Sequence, residues 1–210
     1  MLGKPMKNDY RQNYFVVIPA CNEELRLGRF LRKVKKITKK IIVVDDGSVD
    51  NTGKIAKQAS VRVFRHELNL GKGAAMKTGA IAAFKLGAKN IIFMDADGQH
   101  DPKHIPEFLR KLEEGDGVVF GTREMLKEAP FMNRLGNRFG SVILKLVFGI
   151  YRVDPFCGYL AINRNVFSKI CWDSSRYGVE TEIVAKVGKY KLKYTEIPIP
   201  TIYLDKYKGM

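Results

Sequence analysis

The stretch Asn90-Ile91-Ile92-Phe93-Met94-Asp95-Ala96-Asp97-Gly98-Gln99 passes from an unbroken apolar run directly into two carboxylates. A short, continuous apolar run bounded by polar residues predicts a strand buried on both faces, with the acidic turn at its carboxyl end. The same arrangement recurs upstream. Residues 14–18 read as a strand stopped by Pro19, and residues 41–44 as one that ends in the turn Asp45-Asp46-Gly47-Ser48. Residues 61–65 and 118–120 supply two more. Helical patterns lie between them. Leu25, Leu27, Phe30, Leu31, Val34 and Ile37 recur at helical spacing behind a capping Asn22, and Thr52 can cap a second helix. Residues 71–86 form an Ala-rich third helix, and Pro102 opens a fourth that reaches about residue 112. Short apolar strands alternating with helices predict an α/β fold, a mainly parallel sheet flanked by helices. In such sheets ligands sit beyond the carboxyl ends of the strands. Asn22-Glu23-Glu24, Asp45-Asp46, Asn69 and residues 95–99 all fall there.

The second half is less regular. Residues 134–151 and 177–187 read as helices and residues 159–162 and 192–197 as strands, with Pro198 and Pro200 ending regular structure. No repeat or linker divides the chain. The expectation is one domain over residues 1–210, a regular half over 1–120 and a smaller mixed half over 121–210.

Composition narrows the classes. A hydrophobic fraction of 45% over 210 residues supports a sizeable core and argues against global disorder. Cys21, Cys157 and Cys171 are odd in number and far apart, which points to a reducing, cytoplasmic setting rather than a disulfide framework. No run is long and apolar enough to span a bilayer. The net charge of +15 favours polyanionic partners: nucleic acid, an anionic membrane or a phosphorylated substrate.

Several motifs can carry chemistry. Asp95 and Asp97, followed by Gln99, can aim oxygen ligands at one hard cation, Mg²⁺ or Mn²⁺, whose remaining ligands come from phosphates and water. The alternative is a polar turn whose carboxylates accept backbone N–H groups. Asp46 can accept hydrogen bonds from a base or ribose, or serve its own turn. Asn69-Leu70-Gly71-Lys72-Gly73 precedes a helix, so its backbone N–H groups and Lys72 can face a diphosphate, or its glycines can serve close packing. It matches neither a Walker A loop nor a GxGxxG fingerprint. Residues 133–151 are either an amphipathic helix packed on the sheet or one lying in a membrane interface with Arg134 and Arg138 near lipid phosphates.

Taken together, the motifs resemble the family 2 glycosyltransferases of GT-A (Rossmann-like) fold, and within them the dolichyl- or polyprenyl-phosphate sugar synthases. Four stretches carry the resemblance: Val17-Ile18-Pro19-Ala20-Cys21-Asn22-Glu23-Glu24, residues 43–52, residues 69–73 and residues 94–102. A weaker match runs from Gly121-Thr122-Arg123 through Asp154-Pro155-Phe156-Cys157-Gly158-Tyr159. The resemblance implies a nucleoside pocket lined by Pro19, Ala20, Asn22, Glu23, Asp46, Lys72 and the Asp95-Ala96 step. It implies a metal, Mg²⁺ or Mn²⁺, and donor diphosphate held by Asp95, Asp97 and Gln99. Arg123 and Arg134 match positions that meet the acceptor phosphate, with Arg138 and Asp154 beside them and Lys206 or Lys208 offered to the diphosphate. Arg138 stands where relatives often have Ser, and Phe156-Cys157 replaces a polar residue and Ser. The implied reaction moves a hexose, from GDP-mannose or a UDP-hexose such as UDP-glucose, with inversion to a lipid phosphate at the cytoplasmic face of a membrane. Transfer to a saccharide hydroxyl is the rival enzymatic reading, with Asp154 as the candidate base. A basic nucleic-acid- or membrane-binding module without catalysis explains the charge. It does not explain acidic residues at strand ends, so no nucleic-acid partner is expected.

Overall fold

The computed structural model describes residues 13–123, 131–176 and 178–200, with 131–139 described as backbone only. Seven strands form one sheet in the order β3-β2-β1-β4-β6-β5-β7. The strands are β1 (Tyr14–Ala20), β2 (Ile41–Asp46), β3 (Arg62–His66), β4 (Asn90–Phe93), β5 (Val118–Arg123), β6 (Leu160–Asn163) and β7 (Tyr194–Ile199). β3, β2, β1 and β4 are mutually parallel, β6 runs antiparallel to both β4 and β5, and β7 pairs parallel with β5. The sheet is therefore mainly parallel with one reversed strand.

Alternation along the strands sends successive side chains to opposite faces. Phe15, Val17, Ile42, Val44, Ile91 and Phe93 join one apolar cluster, beneath α3 (Lys72–Lys85), α6 (Arg164–Ile170) and α7 (Val179–Lys189). Tyr14, Val16, Ile18, Ile41, Val43 and Ile92 join the other, beneath α1 (Glu24–Lys35), α2 (Thr52–Gln58) and α4 (Ile105–Glu113). The longest helix, α5 (Phe131–Phe148), buries Leu144 in the first cluster.

Two prolines read as strand stops lie inside strands. Pro19 pairs with Val44 of β2. The Val17 carbonyl accepts from Met94 on the β4 side. Pro19, two residues on, turns its N–H-less nitrogen to that same side, where β4 has already ended at Phe93. Pro198 sits in the sheet-edge strand β7, paired with Thr122 on one side only. Proline is tolerated where no ladder donor is required. The other edge strand, β3, exposes Arg62 and Arg65, charges that discourage edge-to-edge pairing.

Helix α6 has no counterpart in the sequence reading. The Asn163 side chain caps it by accepting from the Val166 N–H at 2.8 Å. Helices α1 and α2 lack the caps assigned from sequence. Neither Glu23 nor Asn51, their actual N-cap residues, makes a side-chain cap bond. Instead the Thr52 hydroxyl and Asp50 carboxylate accept from the Glu23 and Glu24 N–H groups, at 2.7 and 3.0 Å. The two loops thus cap each other across the sheet edge.

Candidate active site

Strands β1, β2 and β4 end side by side, and the loops that follow them border a cavity of about 520 Å³. Pro19, Ala20, Asn22 and Glu23 from the β1 loop line it, with Asp46 from β2, Lys72 from α3, and Asp95, Ala96 and Asp97 after β4. Eight residues assigned to the nucleotide from sequence are thus brought to one cavity with Asp97.

Each carboxylate there has a defined setting. Asp46 is buried, and its oxygens accept from the Leu70 and Gly71 N–H groups at 2.9 and 2.8 Å. His66 Nδ1 lies 2.7 Å from the same carboxylate, and its Nε2 lies 2.9 Å from Thr78 Oγ1. Much of the capacity of Asp46 therefore goes to holding the 67–71 loop. Asn22 adopts a left-handed φ of 54°, which Asn tolerates better than most residues. Its N–H donates to Ser48 Oγ and its side-chain oxygen accepts from Val49 N, both at 3.0 Å. Burial pushes the Glu23 carboxyl above its usual range, against the effect of Arg26.

Asp95 and Asp97 both face the cavity, and Gln99 is exposed beside it. Asp97 accepts from the Gln99 N–H at 2.9 Å, a local turn bond that leaves the Gln99 side chain outside the cavity lining. Asp95 Oδ1 lies 2.6 Å from Lys72 Nζ, which lies equally close to Glu180 Oε1. Burial alone would raise the Asp95 carboxyl. The Lys72 ammonium, with His100 and Arg123, outweighs it and holds the group below its usual range. Lys72 is correspondingly raised by the two carboxylates despite its own burial. The Asp95 N–H donates to His100 Nδ1 at 3.0 Å, and burial lowers the pKa of that imidazole. Among the described residues no group of three or more His, Cys, Asp or Glu side chains is gathered as a metal site. The donor set is two carboxylates on one turn. It suits a hard cation that draws its other ligands from phosphate oxygens and water.

Next to this cavity, Arg123 at the end of β5 forms a two-pronged pair with the buried Asp154. Its Nε lies 2.6 Å and its Nη2 2.9 Å from the two carboxylate oxygens. That hydrogen bonding raises the arginine above its ordinary value. The geometry suits a carboxylate that orients an arginine rather than one that takes a proton. Arg134 and Arg138 fall on the backbone of α5, but their side chains lie outside the described residues, as do Lys206 and Lys208. Cys157 is a core thiol, pushed up to about 12 by burial. Gly158 has a clear role: a Cβ there would stand 2.7 Å from Asp95 Oδ2 and 2.8 Å from Lys72 Nζ.

Sequence reasoning missed three residues at this site: His66 behind Asp46, Glu180 behind Lys72, and Arg176 on the cavity wall. It also left the Gly71-x-Gly73 pattern open. A Cβ on Gly71 would stand 2.5 Å from the Ser175 carbonyl oxygen, and one on Gly73 would run into the Ser174 carbonyl. The Ala74 N–H donates to Ser175 O at 3.0 Å, so part of the start of α3 is satisfied by protein. The glycines seat the 172–176 segment.

Comparison with known proteins agrees with this architecture. The sequence profile of Glycosyl transferase family 2 matches residues 15–171. An uncharacterised protein of Methanocaldococcus jannaschii is 41% identical over 203 residues, 93% of this chain and 84% of its own. The UDP-N-acetylglucosamine–dolichyl-phosphate N-acetylglucosaminyltransferase of Methanococcus voltae is 31% identical, covering 91% of this chain and 86% of its own. Among solved structures, glucosyl-3-phosphoglycerate synthase of Mycobacterium tuberculosis superposes with a TM-score of 0.74 at 21% identity, covering 92% of this chain and 72% of that one. This last likeness is one of fold, the GT-A fold.

Proposed function

The chain belongs to glycosyl transferase family 2, and we propose that it moves a hexose from a nucleoside diphosphate sugar to the phosphate of dolichol or another polyprenol, with inversion. One observation carries the reading: Asp95 and Asp97 share a cavity with Asn22 and Asp46, and the Arg123–Asp154 pair stands at the end of β5 in the same sheet. The named relative from Methanococcus voltae supports a dolichyl-phosphate acceptor. The M. tuberculosis synthase with Mn²⁺ and UDP, at a TM-score of 0.67, supports a divalent metal beside the nucleotide.

In this reading Pro19, Ala20, Asn22, Glu23 and Asp46 receive the nucleoside, and Asp95 and Asp97, with Gln99 beside them, hold Mg²⁺ or Mn²⁺. When bound, the metal neutralises charge on the departing diphosphate. Lys72 and Glu180 fix the Asp95 side chain before substrate arrives. Arg123, aimed by Asp154, meets the acceptor phosphate together with Arg134 and Arg138. An acceptor phosphate oxygen is already anionic, so the new bond to the anomeric carbon forms as the bond to the diphosphate breaks, and no strong base is needed. Positioning and electrostatics supply most of the acceleration.

A polyprenyl-phosphate acceptor would bring the protein to a membrane surface, which the proposal takes as the cytoplasmic face. Among the described residues no helix is long and apolar enough to cross a membrane. The second half of α5 instead exposes Val142, Ile143, Leu146 and Val147, with Leu146 80% exposed, around Lys145. Such an apolar face around a lysine fits interfacial docking.

The test is transfer from GDP-mannose, UDP-glucose and UDP-N-acetylglucosamine, with Mn²⁺, to a short polyprenyl phosphate and to a soluble sugar. The account expects product on the lipid phosphate. Product on the sugar hydroxyl alone would replace it with the saccharide reading.

A further inference from the structure

Charge on the cavity wall is unbalanced for an anionic ligand. Glu23, Asp46, Asp95 and Asp97 face it, against two cations, Lys72 and Arg176. Lys72 is committed, held at 2.6 Å by both Asp95 and Glu180. Arg123 does not line the cavity and, oriented by Asp154, is assigned to the acceptor phosphate. Arg176 is exposed, and among the described residues no carboxylate lies within ion-pair distance of it.

The position of Arg176 is built. Trp172 is fully buried, and its indole N–H donates to Gly73 O at 2.8 Å. Lys77 donates to Trp172 O at 3.0 Å. Glu182, on α7, accepts from the Asp173 and Ser174 N–H groups at 2.9 and 2.8 Å. Ser175 O receives the Ala74 N–H. The Arg176 stem lies over Gly71, its Cγ 2.9 Å from where a Cβ would stand. A segment fixed at every residue from 172 to 175 thus brings to the cavity wall an arginine that no carboxylate among the described residues pairs.

We infer that Arg176 contacts the diphosphate of the donor, supplying the protein cation that Lys72 cannot. This rests on the reading of the cavity as a nucleoside diphosphate site. A guanidinium fork matches phosphate oxygens in pairs and keeps its charge at any working pH. The Gly71-x-Gly73 pattern then serves the diphosphate indirectly, by seating the segment that carries Arg176, rather than by cradling it with backbone N–H groups.

Isothermal calorimetry with UDP, GDP, uridine and guanosine, in Mn²⁺, tests this on wild type, Arg176→Gln and Arg176→Lys. Arg176→Gln is expected to weaken the better-bound nucleoside diphosphate by about tenfold or more and to leave the matching nucleoside unchanged. Arg176→Lys should recover part of the loss. Equal diphosphate affinity in wild type and Arg176→Gln overturns the assignment, as does an equal loss for the nucleoside, which would make the residue structural. If the wild type binds neither UDP nor GDP, the donor site itself falls and the assignment with it.

Discussion

Replacing Glu182 with Gln probes the scaffold on which the cavity wall depends. Burial pushes this carboxyl up. Hydrogen bonds from Lys186 and from the Ser174 and Asp173 segment outweigh burial and hold it at about 2. Lys186 Nζ lies 2.7 Å away. A displacement from the ordinary 4.5 to about 2 corresponds to at most about 3 kcal/mol of native-state stabilisation. The group is partly open to solvent, so screening trims this to about 2 kcal/mol. A carboxyl whose folded pKa is depressed stabilises above its unfolded pKa. That contribution disappears as pH falls through the folded value, here between about pH 5 and about pH 2. Urea unfolding of wild type and Glu182→Gln should therefore differ by about 2 kcal/mol at pH 7, with the gap narrowing steadily towards pH 3. A gap below about 0.5 kcal/mol at pH 7, or one that does not shrink on acidification, would show that the Glu182 contacts do not hold the segment.

Other outcomes follow from the same contacts. Lys72→Met leaves Asp95 and Glu180 without their shared ammonium and should cost about 3 kcal/mol in urea unfolding. Gly73→Ala forces a methyl against the Ser174 carbonyl. It should destabilise by about 2 kcal/mol and weaken nucleotide binding with it, as calorimetry would show. In native protein Cys157 should resist a thiol reagent, because it is buried and its thiol is pushed up to about 12, whereas Cys21, raised by burial and nearby carboxylates but partly exposed on the cavity wall, should react faster and be protected by nucleotide. Both rates are readable by mass spectrometry.

Much of the fold was legible because its signals are local. The runs at β1, β2 and β4 are continuous and apolar, and the α1 pattern has one buried stripe of Leu27, Phe30, Leu31 and Val34. Pro19 and Pro198 misled because their effect depends on which side of the strand has a partner, a property of the sheet rather than of the segment. The caps of α1 and α2 misled for the same reason, since each loop is satisfied by the other. At the site, the spacing of Asp95 and Asp97 announced a paired carboxylate. Glu180 and Arg176 announced nothing, because their roles arise from packing of the 172–176 segment onto the start of α3. Trp172 and Gly73, which join those elements, are 99 positions apart. The Gly-x-Gly pattern was visible, but its reason was a neighbour that only the tertiary fold supplies.

A crystal structure of the wild-type protein with Mn²⁺ and its preferred nucleoside diphosphate, alongside Asp97→Ala under the same conditions, tests the donor site itself. A metal is expected on the Asp95 and Asp97 carboxylates, with the nucleoside between Pro19 and Asp46, and both should be lost from Asp97→Ala. A nucleotide bound elsewhere, or bound here unchanged in Asp97→Ala, would contradict that assignment.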